Sequence, residues 1–427
     1  MAERFWIETL GCPKNQVDSD KLVGKLLTDG LSAADSVEHA DLVIVNTCAF
    51  IETARQESID VTLALADVAA PDARVVVTGC LAERYGSELA DALPEVDAIV
   101  GFGRELDVDR SAAVADSARR LIPVAAAPLP DFDLLNLPRP RATAPWAYVK
   151  IAEGCDRNCG FCAIPSFRGP QRSRTIADIV GEVEALAVRE IVLVAQDLAS
   201  FGRDQGRGDR SIVPLVAAVA AVTDRVRLLY LYPSDLTDGL IDVICETGVP
   251  YFDLSLQHVS RPLLRGMRRW GDGDRFRTRI DDIRRREPQA AFRSNFIVGY
   301  PGETEDDHDQ LLRFVEEVEL DWCGFFAYSA EEGTHAAGLV GHVDGSLMEE
   351  RLAELRELQD EITARRRDAL IGEVTMVLVD GPGVARSYRE APEIDGIIEV
   401  PETVAVGELV KVTVTDAHGP DLVAAIL

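Results

Sequence analysis

Strand-like apolar runs alternate with helical patterns from Arg4 to Tyr328, and this alternation admits few folds other than parallel sheets with helices on their faces. The first three runs, RFWIETLGC, ADLVIVNTC and ARVVVTGC, each end on a cysteine: Cys12, Cys48 and Cys80. Helical patterns around Lys21–Leu27 and Thr53–Ala69 separate them. The pattern predicts an α/β domain over residues 1–120 with an open, largely parallel sheet. Ligands of such sheets sit outside the carboxyl ends of the strands, where three cysteines distant in sequence can meet. Any one of them could instead be a small buried residue at a strand end; three equivalent placements favour a shared site.

Residues 121–145, LIPVAAAPLPDFDLLNLPRPRATAP, are rich in proline and carry no period, which predicts an extended linker. Six further runs follow: Ala147–Ile151, Glu190–Gln196, Val226–Tyr232, Phe252–Gln257, Phe292–Val298 and Trp322–Tyr328. With helical patterns between them they predict a partial (β/α)6 barrel over 146–345, whose functional residues belong at the carboxyl ends of the strands. SLMEERLAELRELQDEITARRRDALIG has helical spacing and predicts a connecting helix over 346–371 that leaves the barrel. Residues 372–427 turn to short β-rich runs broken by Gly and Pro, which predicts a small β-barrel.

EGCDRNCGFC follows the first barrel strand and sets Cys155, Cys159 and Cys162 in one loop. A structural zinc site wants four closed ligands, and no second hook completes a tetrahedron nearby. An iron–sulfur cubane takes one cysteine per iron, so three cysteines leave one iron open to a small molecule. The chain has 427 residues with a formal net charge of -29 (44 Lys and Arg, 73 Asp and Glu). That balance repels phosphate backbones and suits a basic partner. The start MAERFWIETLGC lacks the features of a signal peptide, and no apolar run is long enough to span a bilayer. These features predict a cytoplasmic protein without a membrane partner, whose clustered thiols are ligands rather than disulfides.

The Cys-x3-Cys-x2-Cys loop after the first barrel strand, with Phe161 before its last cysteine, resembles the radical S-adenosylmethionine enzymes. The triad of Cys12, Cys48 and Cys80, the central loop and a C-terminal TRAM-like barrel together resemble the methylthiotransferases over essentially the whole chain. LGCPKNQVDSD, CAIPSFRGPQRSR and ARSYREAPEIDG are similar to the branch that methylthiolates an aspartate of protein S-twelve of the small ribosomal subunit. The resemblance implies two [4Fe-4S] clusters, one on Cys155, Cys159 and Cys162 and one on Cys12, Cys48 and Cys80. It implies S-adenosylmethionine as both radical source and methyl donor, and a low-potential electron donor such as a flavodoxin or ferredoxin. A deoxyadenosyl radical would remove hydrogen from the β-carbon of the aspartate, and sulfur would close onto that carbon. The partner would be protein S-twelve or the ribosomal subunit, without extensive nucleic-acid contact.

Phe161, Gln196, Gly299 and Gly302 are the expected cofactor contacts: Gln196 follows the second barrel strand, and the glycines of SNFIVGYPGET permit close approach of a ligand. Glu303 lies one residue beyond the usual spacing and is assigned no contact. Cys245 and Cys323 are expected in the core, and His258 in a structural role. The runs Arg268–Trp270 and Arg284–Arg286 are expected on solvated faces. Residues 372–427 hold ten acidic and three basic side chains, so Glu390, Glu393, Asp395 and Glu399 are expected to face a basic protein. Two alternatives stand beside this reading, methylthiolation of a tRNA adenosine and a non-enzymatic iron–sulfur redox sensor. The first calls for a basic terminal barrel, and the second gives no reason for an open iron.

Overall fold

The computed structural model describes residues 3–101, 133–206 and 212–427; the first part of the expected linker, 121–132, lies outside them. The chain forms two compact units. The first takes residues 1–140 together with Glu153–Asp156 and Cys162–Arg174, so it borrows both flanks of the central cysteine loop. Its strands are β1 (Arg4–Thr9), β2 (Ser32–Ala33), β3 (Leu42–Thr47), β4 (Arg74–Gly79) and β5 (Ala98–Val100), in the order β2-β1-β3-β4-β5. The ladders β1–β3, β3–β4 and β4–β5 are parallel, as expected. Helices α1 (Pro13–Thr28), α2 (Glu52–Val68) and α3 (Cys80–Ala92) make the crossovers. Central β3 is buried along its whole length: Leu42 and Ile44 pack with Phe5 and Leu26, while Val43 packs with Val75, Leu81 and Leu89. A parallel strand covered on both faces reads as an unbroken apolar run, which LVIV is.

Helix α1 begins earlier than the apolar spacing suggested, directly after Cys12, because Pro13 is preorganised for the first helical position. The described part of the expected linker is not free. Leu135 is buried, its carbonyl accepts from the buried Lys21 ammonium, and Arg172 and Arg174 bond Asp133 and Asn136. Satisfying Lys21 and covering Leu135 tie residues 133–140 to the first unit. Helix α4 (Ile164–Arg168) also packs there through Phe167.

The second unit is built on β6 (Trp146–Lys150), β9 (Glu190–Val194), β10 (Arg225–Leu228), β11 (Tyr251–Gln257), β12 (Ala291–Val298) and β13 (Trp322–Ala327); the two-residue strands β7 (Ala152–Glu153) and β8 (Arg172–Ser173) flank the cysteine loop in sequence, and β8 belongs to the first unit. All six long strands match expected runs. They form two parallel three-stranded sheets, β6-β9-β10 and β11-β12-β13, bridged at Leu231–Leu254. Among the described residues no ladder joins β6 to β13, so the barrel is an arc. Helices α5 (Ile176–Leu186), α6 (Ile212–Ala220), α7 (Asp238–Glu246), α8 (Arg261–Gly266), α9 (Gly273–Arg286) and α10 (Glu305–Val318) surround it. Among the described residues no helix is long and apolar enough to cross a membrane.

Helix α11 (Gly345–Asp368) does not leave the barrel. Leu352, Leu355 and Ile362 form an apolar stripe that joins the barrel core, and Gln359 donates to the Leu320 carbonyl. The terminal residues close into a small barrel of β14 (Val374–Gly381), β15 (Val384–Arg386), β16 (Ile398–Glu399), β17 (Leu409–His418) and β18 (Asp421–Ile426).

The segment between β15 and β16, from ARSYREAPEIDG, caps the amino ends of the barrel strands. Asp395 accepts from Arg293 at 2.8 Å and from the Tyr251 hydroxyl at 2.6 Å, and Glu390 pairs with Arg367. Arg386 and Arg227 converge on Glu190. Two of the four carboxylates expected to face a partner, Glu390 and Asp395, therefore have fully buried side chains, whereas Glu393 and Glu399 are exposed. Charge alone could not separate the two classes. The carboxylates of Glu390 and Asp395 point at arginines contributed by α11 and β12.

His258 is fully buried and accepts the Ser260 N–H on Nδ1 at 3.0 Å. Burial first, then the neighbouring His308 and Arg351, lowers its pKa to about 4 against the pull of Asp307. The fold thus favours neutral imidazole. This contribution to stability is complete above the ordinary value near 6.5 and is lost as pH falls through about 4. Chemical denaturation should show the native chain losing up to about 3 kcal/mol more than His258→Asn between those pH values. Equal pH slopes for the two chains would contradict the assignment. Separately, Glu390→Ala leaves Arg367 buried without its carboxylate and should cost about 3 kcal/mol or more of unfolding free energy; a change within error would show that the cap is not held by this pair.

Candidate functional site

Each of the first three cysteines sits where a strand of the parallel sheet ends. Cys12 caps the amino end of α1, Cys80 opens α3, and Cys48 follows β3. Gly11 and Gly79, both at φ +94°, make the turns. A Cβ on Gly11 would lie 2.7 Å from the Cys48 Cβ and 2.9 Å from its Sγ, so only glycine lets these loops approach so closely. Buried polar groups hold the loops. Asn15 donates to the Leu10 and Thr47 carbonyls, Thr47 bonds the Thr78 carbonyl, and Ser58 bonds both the amide and the carbonyl of Cys48.

The three thiols sense one another. Desolvation, then Cys80 and Cys12, push the Cys48 thiol up to about 12, and desolvation raises Cys80. Desolvation also opposes the Cys12 thiolate, but Lys14 and the backbone N–H of Asn15 outweigh it and hold that thiol below its ordinary range. Thiolates that share a dry site repel one another, and bound cations offset that repulsion. Among the described residues no set of three or more metal-ligating side chains could hold a single ion. A cubane needs something different, one thiolate per iron around a common space. Three cysteines at one edge of a sheet are a donor set of the kind that an iron–sulfur cluster uses.

The first unit also contains Arg168, an arginine within CAIPSFRGPQRSR that nothing in the sequence alone marks as part of a site. Arg168 is buried, with Nη2 donating to Cys80 Sγ at 3.1 Å and to Asn15 Oδ1 at 2.8 Å. Its Nη1 donates to Asp18 and to Glu153.

In the central loop, Cys155 donates its amide to the Gly169 carbonyl at 3.1 Å. Within the barrel unit, Gly160 donates to the Met267 carbonyl and accepts from Ala336, both at 2.8 Å. A Cβ at Gly160 would lie 2.9 Å from the Gly266 carbonyl oxygen, so its small size seats the loop. Phe161 is half-buried against the barrel core. Arg269 Nη1 lies 3.5 Å from Cys159 Sγ, and its guanidinium stacks 3.9 Å from the Tyr232 ring centroid. Arg157 covers the same ring at 4.0 Å and is paired with Asp197 and Asp235.

Arg269 corrects the expectation that Arg268–Trp270 is a solvated run; Arg268 and Trp270 are exposed, but the middle arginine turns inward to an aromatic face. Arg284 likewise lies over Phe292 and bonds the Val318 and Glu319 carbonyls, while Arg285 and Arg286 pair with acidic residues on the surface. Gln196 is half-buried just past β9, beside Asp197, which Arg157 and Ser200 engage. The close approach that Gly299 permits is taken by the Met348 side chain of α11, whereas Gly302 is open above its Cα and donates its N–H to Gly341. Glu303 accepts the Gly299 and Tyr300 amides and pairs with Arg351. Cys245 and Cys323 pack against the barrel core on α7 and β13.

The chain matches three family models in succession: an uncharacterised protein family, UPF0004, over residues 4–101, the radical SAM superfamily over 149–315 and a TRAM domain over 371–427. It is 42% identical to the ribosomal protein uS12 methylthiotransferase RimO of Streptomyces coelicolor, covering 97% of this chain and 95% of that one. The protein of the same name from Salinispora tropica is also 42% identical, over 99% and 95% of the two chains. Among solved structures, the radical S-adenosylmethionine methyltransferase TsrM of Kitasatospora setae shares the fold at a TM-score of 0.52 with 15% identity, over 84% of this chain and 89% of that one. A transferase identity follows from relatives similar along their whole length, and the chain belongs to the RimO family of radical S-adenosylmethionine methylthiotransferases.

Proposed function

We propose that this enzyme methylthiolates the β-carbon of an aspartate in ribosomal protein uS12 (S-twelve), using S-adenosylmethionine and two [4Fe-4S] clusters. The observation that carries this reading is the presence of two three-cysteine sets in a chain similar end to end to enzymes named for uS12. Cys155, Cys159 and Cys162 would hold one cluster, and Cys12, Cys48 and Cys80 the other. Held by Cys155, Cys159 and Cys162, such a cluster would supply the electron for cleavage of S-adenosylmethionine, taken from a low-potential donor of the flavodoxin or ferredoxin type. This chain's own groups seat the loop. Gly160 pins it to the barrel and Arg269 approaches Cys159, and Phe161, Gln196 and Gly302 would orient the cofactor. Gly299 also belongs to this set, with Met348 as the neighbour that would have to share its space.

The choice of a basic protein over tRNA rests on exposed charge. In the terminal barrel Glu373, Glu393, Glu399, Glu402, Glu408 and Asp416 are exposed, Arg386 is buried, Arg389 is half-buried, and Lys411 is the exposed cation among the described residues. An RNA-binding face needs the opposite sign. The acidic surface fits a basic protein and speeds its encounter.

Two experiments test the reading. In the reconstituted enzyme, Cys155→Ala, Cys159→Ala or Cys162→Ala should abolish deoxyadenosine formation. Replacing Cys12, Cys48 and Cys80 together should stop sulfur transfer to uS12 while deoxyadenosine still forms, with about four irons lost for each set removed. Full sulfur transfer by that triple variant would refute the role of the first set. Second, Glu393→Lys, Glu399→Lys and Glu402→Lys combined should weaken binding to isolated uS12 most at low salt, since exposed charges are screened near physiological ionic strength. Wild-type binding that is tighter to tRNA than to uS12 would overturn the substrate assignment.

A further inference from the structure

We infer that Arg168 is a positioning residue for the cluster site of Cys12, Cys48 and Cys80, and that its N–H···S bond to Cys80 sets the reduction potential there. This rests on the proposed reading that these cysteines hold a cluster.

Arg168 follows Cys162 by a few residues at the end of α4, yet its side chain is 3% exposed and its fork is divided between two tasks. Nη1 meets Asp18 Oδ2 at 3.1 Å and the Glu153 carboxylate at 3.1 and 3.2 Å. Nη2 meets Cys80 Sγ at 3.1 Å and Asn15 Oδ1 at 2.8 Å. A tie between α4 and α1 would be complete with the carboxylates alone. The second amine is instead aimed at a sulfur, and Asn15, fixed by the Leu10 and Thr47 carbonyls, holds it there.

An N–H donor on a cluster thiolate favours the electron-rich reduced form over the oxidised one, and hydrogen bonds to sulfur are among the protein's means of setting cluster potentials. A buried, low-dielectric location strengthens the effect. Asp18 and Glu153 offset the guanidinium charge, so the direct bond carries the effect rather than a net positive field. The planar fork also explains why lysine would not substitute, since an ammonium cannot meet the carboxylates and the sulfur in the same plane.

The test uses the full-length chain with Cys155, Cys159 and Cys162 replaced by Ala, so that one cluster reports alone. Arg168, R168K and R168Q forms are reconstituted anaerobically, assayed for iron and titrated potentiometrically with detection by electron paramagnetic resonance. R168Q should carry about four irons per chain and show a more negative midpoint potential, with R168K between the two. R168Q with full iron and an unchanged potential overturns the inference and leaves Arg168 a structural tie. Should R168Q load no iron, R168K decides in the same way: a negative shift supports the assignment and an unchanged potential overturns it. Absence of iron from the Arg168 parent defeats the cluster reading itself, and the inference with it.

Discussion

Parallel strands all end at the same edge of their sheet, and the placement of this chain's cysteines depends on that one constraint. Cys12, Cys48 and Cys80 are separated by whole helices in sequence, but β1, β3 and β4 run in register and deliver them to one edge. The close approach of the loops then depends on backbone that only glycine adopts easily, at Gly11 and Gly79. The six-stranded arc repeats the logic. Its first strand hands the chain to the cysteine loop, and Gln196 and Gly299 follow β9 and β12.

The cysteine loop and Gln196 follow the carboxyl ends of the barrel strands, and the amino ends anchor the terminal barrel. Glu190, Arg225, Arg227, Arg386, Glu390 and Arg367 form a buried ionic cluster, joined by the Arg293–Asp395 pair. Buried ion pairs add little net stability over apolar contacts of similar size, but a partner left without its counter-charge is costly. Such a network therefore defines one seating of the terminal barrel by penalising the others. The exposed acidic residues of that barrel consequently belong to a surface fixed with respect to the arc.

Elements with strong local signals were legible in the sequence: the strand runs, their cysteines, the central loop and the acidic balance. What escaped was decided by tertiary partners. Arg168 and Arg269 resemble any other surface arginine until Cys80 and Tyr232 are placed beside them. Glu390 and Asp395 share the composition of exposed neighbours such as Glu393, and only the arginines of α11 and β12 separate the two groups. The helical spacing of α11 was clear, but whether Leu352 and Leu355 face a barrel or solvent is not encoded in spacing. Gly299 has the freedom expected of a ligand-facing turn, and Met348, distant in sequence, fills the space above it.

The central claim is that this chain places sulfur and a methyl group on an aspartate of uS12. Mass spectrometry of uS12 from otherwise identical cells with and without the chain tests it most directly. The account predicts a gain of one CH2S unit on a single aspartate only where the chain is present. Unmodified uS12 in both cultures, with a methylthio group appearing on tRNA instead, would contradict it.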